Sequence, residues 1–300
     1  MDNDVYEKYI LAGKIAADAR EYGIGLIKPG VSYLEIVDKV ESKILKSGAG
    51  LAFPVNISIN EIAAHFSPRH DDAALTFKKG DVVKLDIGAH FDGYIADTAV
   101  TVEIESHRYD DMIKASSDAL DNVITIMKPK VNLFEIGKTV EDTIKSYGFK
   151  PIDNLTGHSM QRYVLHAGMT IPNVPDRSFM VKPKIDDVLA IEPFATNGAG
   201  HVSAGDGSNI YLCKKSFNTR LLRDNRAKIM FRKTKDLFKT LPFAQRWFEK
   251  QFSNSDILLR KFSFLGLVKH YPQLIDTNKG IVTQKEHTII ITEEGCEVIT

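Results

Sequence analysis

The sequence predicts an α+β protein built of two related αβ halves, with a helical segment inserted into the second. Three observations carry this. A stretch from Ile27 to Glu41 recurs from Met127 to Glu141 at an offset of 100 residues, without a gap. A turn leading into an apolar strand with one acid in it, Gly80-Asp-Val-Val-Lys-Leu-Asp86, has an echo in Asp186-Asp-Val-Leu-Ala-Ile-Glu192. Between the second half's two acid-bearing strands lies a basic, Phe-rich segment whose composition differs from the rest. A period this long is no solenoid repeat. It suggests two halves about a pseudo-twofold axis, their sheets back to back or continuous.

The elements follow in order. Helical stretches at 3–22 and 108–126 precede the two repeat copies. In each copy a Pro loop (Pro29, Pro129) leads to Ser32 or Asn132, with Glu35 or Glu135 three residues on, a capping-box spacing. The helix then stops at Gly48 or Gly148. Val82 to Val102 reads as two strands around the turn signal His90-Phe-Asp-Gly93. A hairpin centred between Phe91 and Asp92 sets Asp86 directly opposite Asp97, with Cβ atoms about 4.5–5.5 Å apart. Two carboxylates so placed among apolar residues repel one another and lose hydration, which a shared proton or a cation relieves.

The second half offers matching groups. Glu192 echoes Asp86, and Glu286 enters the apolar strand of Gln284-Lys-Glu-His-Thr-Ile-Ile-Ile as Asp97 enters its own. The segment joining them includes residues 214–261, where fourteen Lys and Arg face four acids, beside the single tryptophan, Trp247. Its Phe and Leu spacing suggests short helices with an apolar and a basic face, inserted into a hairpin loop. The basic face is either merely solvated or meets an anionic partner such as ribosomal RNA.

Of nine histidines, His65, His158 and His166 fall in loop or strand contexts near the two sheets. His70, His90, His107, His201 and His270 read as ordinary polar residues, and His287 as pointing away from its neighbour Glu286. Four carboxylates and one imidazole on neighbouring strands suit two divalent ions about 3.5–4 Å apart. An oxygen-rich set favours Mn, Fe(II), Co or Zn over a thiolate-seeking ion.

Composition narrows the classes. With 43% hydrophobic and 26% charged residues, the chain has a core and is not disordered. Lys plus Arg equals Asp plus Glu, 39 each, which excludes binding to nucleic acid through net charge. Cys213 and Cys296 are too few and too distant for a disulfide framework or a zinc ribbon. No signal peptide and no apolar run of membrane length are seen, so a cytoplasmic protein is expected. His-Glu-x-x-His, Gly-x-Ser-x-Gly and phosphate-loop motifs are missing from the sequence.

The series Asp86, Asp97, His158, Glu192 and Glu286, with its spacings, resembles the pita-bread metallopeptidases over essentially the whole chain. Ala64-His65-Phe-Ser-Pro68, Gly157-His158 with His166 beyond, Ile191-Glu192-Pro193-Phe-Ala-Thr, and Tyr271-Pro before Gln284-x-Glu286-His-Thr are most similar to the type 2 methionine aminopeptidases in their short archaeal form. The resemblance implies a pita-bread catalytic domain at 1–209 and 271–300, and an inserted helical subdomain at 210–270. It implies two divalent ions (Co, Mn, Fe or Zn). Asp86 would hold one, His158 and Glu192 the other, and Asp97 and Glu286 would bridge them. Glu192 would serve as general base, with His65 and His166 facing the substrate. Phe53, Leu165, Phe194 and Tyr271 would line a methionine slot together with those histidines. The implied activity is removal of the initiator methionine from nascent polypeptides by a monomer, with a possible ribosome contact through the basic insertion. The rivals are a proline-specific pita-bread aminopeptidase and a metal-free pita-bread binding protein.

Overall fold

A computed structural model describes residues 1–300 apart from 179–180, 215–221, 223 and 253–254. Lys215, Arg220 and Arg223 of the basic stretch therefore lie outside the described residues.

Each half begins with a helix pair. In the first, α1 (Asn3–Leu26) and α2 (Tyr33–Lys46) flank the Pro29 turn; in the second, α3 (Asp110–Ile126) and α4 (Leu133–Ser146) flank Pro129. Ser32 Oγ accepts the Glu35 N–H at 3.1 Å, which satisfies one free donor of the first turn of α2. The reciprocal half of the capping box does not form, because the Glu35 carboxylate takes Lys39 one turn on, at 2.6 Å. Asn132 Oδ1 accepts from Phe134 N–H at 3.1 Å, one residue earlier in its helix. Both helices end where Gly48 and Gly148 adopt φ of +83° and +82°, a region that favours residues without a Cβ. The stripe Ile36, Val40 and Ile44 and its counterpart Ile136, Val140 and Ile144 are buried, each packed with its own half's sheet.

The first half continues with β1 (Gly50–Leu51), β2 (Asn56–Ile59), β3 (Ile62–Ala64), β4 (Val82–Phe91) and β5 (Tyr94–Glu103). The second has β6 (Lys150–Pro151), β7 (Thr156–Met160), β8 (Thr170–Pro172), β9 (Val188–Ile191), β10 (Phe194–Thr196) and β11 (Val202–Cys213). Then come α5 (Asn225–Phe238), β12 (Phe243–Ala244), α6 (Gln245–Gln251), α7 (Ser255–Phe264), β13 (Val268–Asp276), β14 (Val282–Gln284), β15 (His287–Ile291) and β16 (Cys296–Val298). Helices α5 to α7 and β12 thus sit in the loop of the antiparallel pair β11–β13, around buried Phe231, Phe243, Phe248 and Phe262. No helix among the described residues is long and apolar enough to cross a membrane.

The hairpin β4–β5 differs in register from the expected one. Phe91 pairs with Tyr94, so the loop is Asp92-Gly93, with φ of +51° and +89°. Two consecutive positive φ values suit Asp-Gly, as the primed hairpin turns require, and penalise Phe-Asp. Asp86 consequently lies opposite Ala99, and Asp97 opposite Gly88. The two acids are diagonal neighbours on one face rather than direct partners.

The sheets of the two halves are continuous at one seam. Ala99 of β5 and Glu286 exchange backbone hydrogen bonds of 3.3 and 3.0 Å. Thr98 Oγ1 adds a bond to the Glu286 carbonyl at 2.9 Å, and Thr288 Oγ1 bonds the Asp97 backbone at 2.7 and 2.8 Å.

Candidate metal centre

Strand register brings the acids together. The ladders β9–β15 and β10–β14 share one register across their breaks, so Glu192 and Glu286 face each other. One transverse row then reads Asn56, Asp86, Ala99, Glu286, Glu192 across the joined sheets. Ala99, the smallest member, sits mid-row, and Asp97 projects on the same face two residues away. Glu192 and Glu286 do not lie in mid-strand as Asp86 and Asp97 do; they occupy the breaks beside Pro193, which has no N–H to offer a ladder.

His158, on β7 next to β9, completes the cluster: its Nε2 lies 3.6 Å from Asp97 Oδ2 and 3.8 Å from Glu192 Oε1. Ligand atoms of Asp97, His158 and Glu286 all fall within 4.8 Å of one another. Gln284 Nε2 reaches Glu192 Oε2 and Glu286 Oε2, 3.3 Å each, and holds the two carboxylates from behind.

Burial and mutual repulsion make this cluster of acids take up protons or a cation. Burial, the largest cause, raises the Asp86 carboxyl to about 7. Burial and then the mutual repulsion of the group push Asp97, Glu192 and Glu286 well above the usual carboxylate range. Burial lowers His158 to about 3, so its imidazole is neutral and supplies no cation. Neither Lys nor Arg is among the described residues that line the cavity. Asp86 Oδ1 and Asp97 Oδ1 are buried acceptors without a hydrogen-bond donor. Hard oxygen donors with one neutral imidazole and no internal counter-charge fit divalent metal.

The cavity, about 60 Å³, is lined by all five of these side chains and by Phe53, Leu165, Tyr271, His65 and His166. The His65 and His166 rings flank Tyr271 at centroid distances of 5.6 and 6.4 Å, and His166 lies 4.4 Å from His158. Burial holds His65 at about 4, and desolvation with Lys269 nearby holds His166 at about 4. The Phe53 ring packs on Gly88, where any Cβ would collide with it. Phe194 is the exception among the slot residues: it is 1% exposed and lines an adjoining cavity that shares His65, His158, His166 and Glu192. It follows directly on the break at Pro193, so its side chain turns into the core under β10. His287 faces Arg20 and Thr300, away from the cavity. His90 is more than a polar surface residue, since its Nδ1 accepts the Gly93 N–H at 3.1 Å and braces the hairpin turn.

Asn56, Pro54, Ile210 and Pro242 also line the cavity and escaped the sequence reading. Asn56 is the register partner of Asp86, an adjacency that pairing alone reveals. Pro242 and Ile210 come from the segment expected to be an insertion.

The sequence matches the metallopeptidase family M24 over residues 7–293. The chain belongs to family M24. It is 48% identical over 300 residues to a methionine aminopeptidase of Methanocaldococcus jannaschii, covering 100% of both chains. In fold it is similar to a thermophilic Arx1, with a TM-score of 0.88 at 18% identity, covering 100% of this chain and 91% of that one. It is similar also to a methionine aminopeptidase of Thermotoga maritima, with a TM-score of 0.72 at 22% identity, covering 100% and 98%. The family M24 match and these neighbours bear out the pita-bread fold expected from the sequence.

Proposed function

We propose that this chain is a methionine aminopeptidase that removes the initiator methionine from nascent polypeptides with two divalent ions, Co, Mn, Fe or Zn. The carrying observation is the convergence of Asp86, Asp97, His158, Glu192 and Glu286 on one cavity walled by Phe53, Leu165 and Tyr271. Asp86 would hold one ion, His158 and Glu192 the other, and Asp97 and Glu286 would serve both. When bound, such a pair acidifies a water and polarises the scissile carbonyl. Glu192, at the edge of the cavity beside His158, would take up the proton. His65 and His166 are neutral near pH 7, so each offers one N–H to the developing oxyanion or the peptide. Phe53, Leu165 and Tyr271 make an apolar wall that accepts the long, flexible methionine side chain. Phe194 bounds this slot from the adjoining cavity. The free substrate amine sits against the acids, which confines cleavage to the first bond.

The test is Asp97→Ala in metal-reconstituted protein. Loss of hydrolysis of a Met-Ala-Ser peptide is expected; retained hydrolysis, or cleavage of Ala-Pro peptides in preference to Met-Ala, overturns the reading.

The inserted helices form a separate subdomain, in this reading, that meets the ribosome. Exposed Arg226, Arg232 and Lys233 on α5 with Arg260 on α7 give it a basic outer face suited to RNA phosphates. Co-sedimentation with ribosomes should weaken on charge reversal at Arg232, Lys233 and Lys235; unchanged co-sedimentation removes this part.

A further inference from the structure

One side chain carries the insertion into the body of the first half. Arg246 of α6 is 0% exposed. Its Nη1 donates to Ser67 Oγ at 2.6 Å and to the Pro68 carbonyl at 3.3 Å, and its Nη2 donates to the Glu41 carboxylate of α2. Glu41 is 5% exposed and also accepts Trp247 Nε1–H at 2.8 Å and Val55 N–H at 3.2 Å. The Ser67 hydroxyl in turn donates to the Val55 carbonyl at 2.8 Å. The pair is therefore an ion pair in the core with bonds to both chain segments 53–56 and 65–68, while Glu41 also holds Trp247 and Arg246 Nε lies 3.8 Å from Asp38 without a hydrogen bond.

Those segments are the substrate side of the cavity. Val55 stands between Phe53 and Asn56, and Ser67 stands two residues after His65; Phe53, Pro54, Asn56 and His65 all line the slot. Ile57 N–H bonds the Phe66 carbonyl at 2.8 Å, which ties the two segments together. A buried ion pair contributes little net stability compared with an apolar pair of its size, yet removing one partner is costly, so it acts as a strict geometric constraint. Arg is suited to the task because its fork serves two acceptor sets at once, which an ammonium cannot.

We infer that Glu41 and Arg246 are positioning residues for the slot: through Ser67 and Val55, the insertion fixes the Phe53 and His65 segments and so sets side-chain selectivity. The inference deepens the aminopeptidase reading and rests on it.

The experiment uses full-length, metal-loaded protein. Ser67→Ala removes the hydroxyl that joins Arg246 to the Val55 carbonyl, while the ion pair and the Arg246–Pro68 and Glu41–Val55 bonds remain, so folding should survive. Arg246→Lys keeps a cation for Glu41 but cannot fork. For both variants, KM for Met-Ala-Ser should rise about tenfold, and the preference for Met-Ala-Ser over Leu-Ala-Ser should narrow by about the same factor. Metal stoichiometry by elemental analysis should stay as in the wild type. Unchanged KM and preference with only a lowered melting temperature would mean a structural tie alone and overturn the inference, and loss of metal would overturn it as well. A wild type inactive on Met-Ala-Ser sinks both readings; an active wild type with an unaltered Ser67→Ala sinks this one only.

Discussion

The two halves deliver the same chemistry by different means. In the first, Asp86 and Asp97 lie eleven positions apart on one regular hairpin, closed by an Asp92-Gly93 turn. In the second, Glu192 and Glu286 stand at the breaks of two ladders, and the chain between them contains the whole insertion. Local turn chemistry aligns the first pair; long-range strand pairing and the Ala99–Glu286 seam align the second. The difference shows that a repeated scaffold conserves a row of the sheet rather than a position within a strand. It also leaves the second hairpin's loop free to grow into a segment that reaches back, through Arg246, to Ser67 and Glu41 of the first half.

If both pairs form one electrostatic unit, neutralising either half should act alike, and this is the largest effect expected. Unfolded carboxyls titrate near 4, whereas in the folded metal-free protein burial holds Asp86 to about 7, and burial with repulsion raises Asp97, Glu192 and Glu286 too. The folded state then binds more protons than the unfolded between about pH 4 and 7, so metal-free stability falls as pH rises through that window. Melting of the metal-free protein should drop by several degrees from pH 5 to pH 7.5, and saturating metal should flatten the slope. Glu286→Gln and Asp86→Asn should each raise the metal-free melting temperature at pH 7.5 by about 3–6 °C while lowering turnover on the order of 10³-fold. A stabilisation confined to one half would break the equivalence.

How much of this was legible in the chain depends on the range of the interaction. The cap residues, the glycine stops and the acids inside apolar runs are local signals, and the four acids are legible from them, whereas His158 is singled out from His65 and His166 only by the family resemblance. The expected turn is centred one residue too early, which moves the pairing by two residues and keeps both acids on one face; the positive φ that Asp92-Gly93 tolerates carries the answer. Phe194, expected in the slot, lines the adjoining cavity that shares His65, His158, His166 and Glu192, because Pro193 ends the ladder just before it. Ile210 and Pro242 enter the cavity, and Arg246 meets Glu41, only through tertiary pairing across the chain, for which no periodicity is a guide.

The smallest expected effect asks whether the scaffold itself is as symmetric as the repeat suggests. Ser32 and Asn132 each satisfy one exposed N–H in the first turn of α2 or α4, the former from Glu35 and the latter from Phe134. A side-chain oxygen lost at either cap leaves that donor to water, which costs about 1 kcal/mol. Ser32→Ala and Asn132→Ala should therefore lower the metal-loaded protein's stability by equal amounts within a few tenths of a kcal/mol, read as shifts of the urea midpoint at constant slope. Neither cap touches the cavity, so KM for Met-Ala-Ser should hold. A cost at one cap several times that at the other would show that the two helix pairs carry unequal loads. The halves would then share a sequence pattern without sharing its energetics.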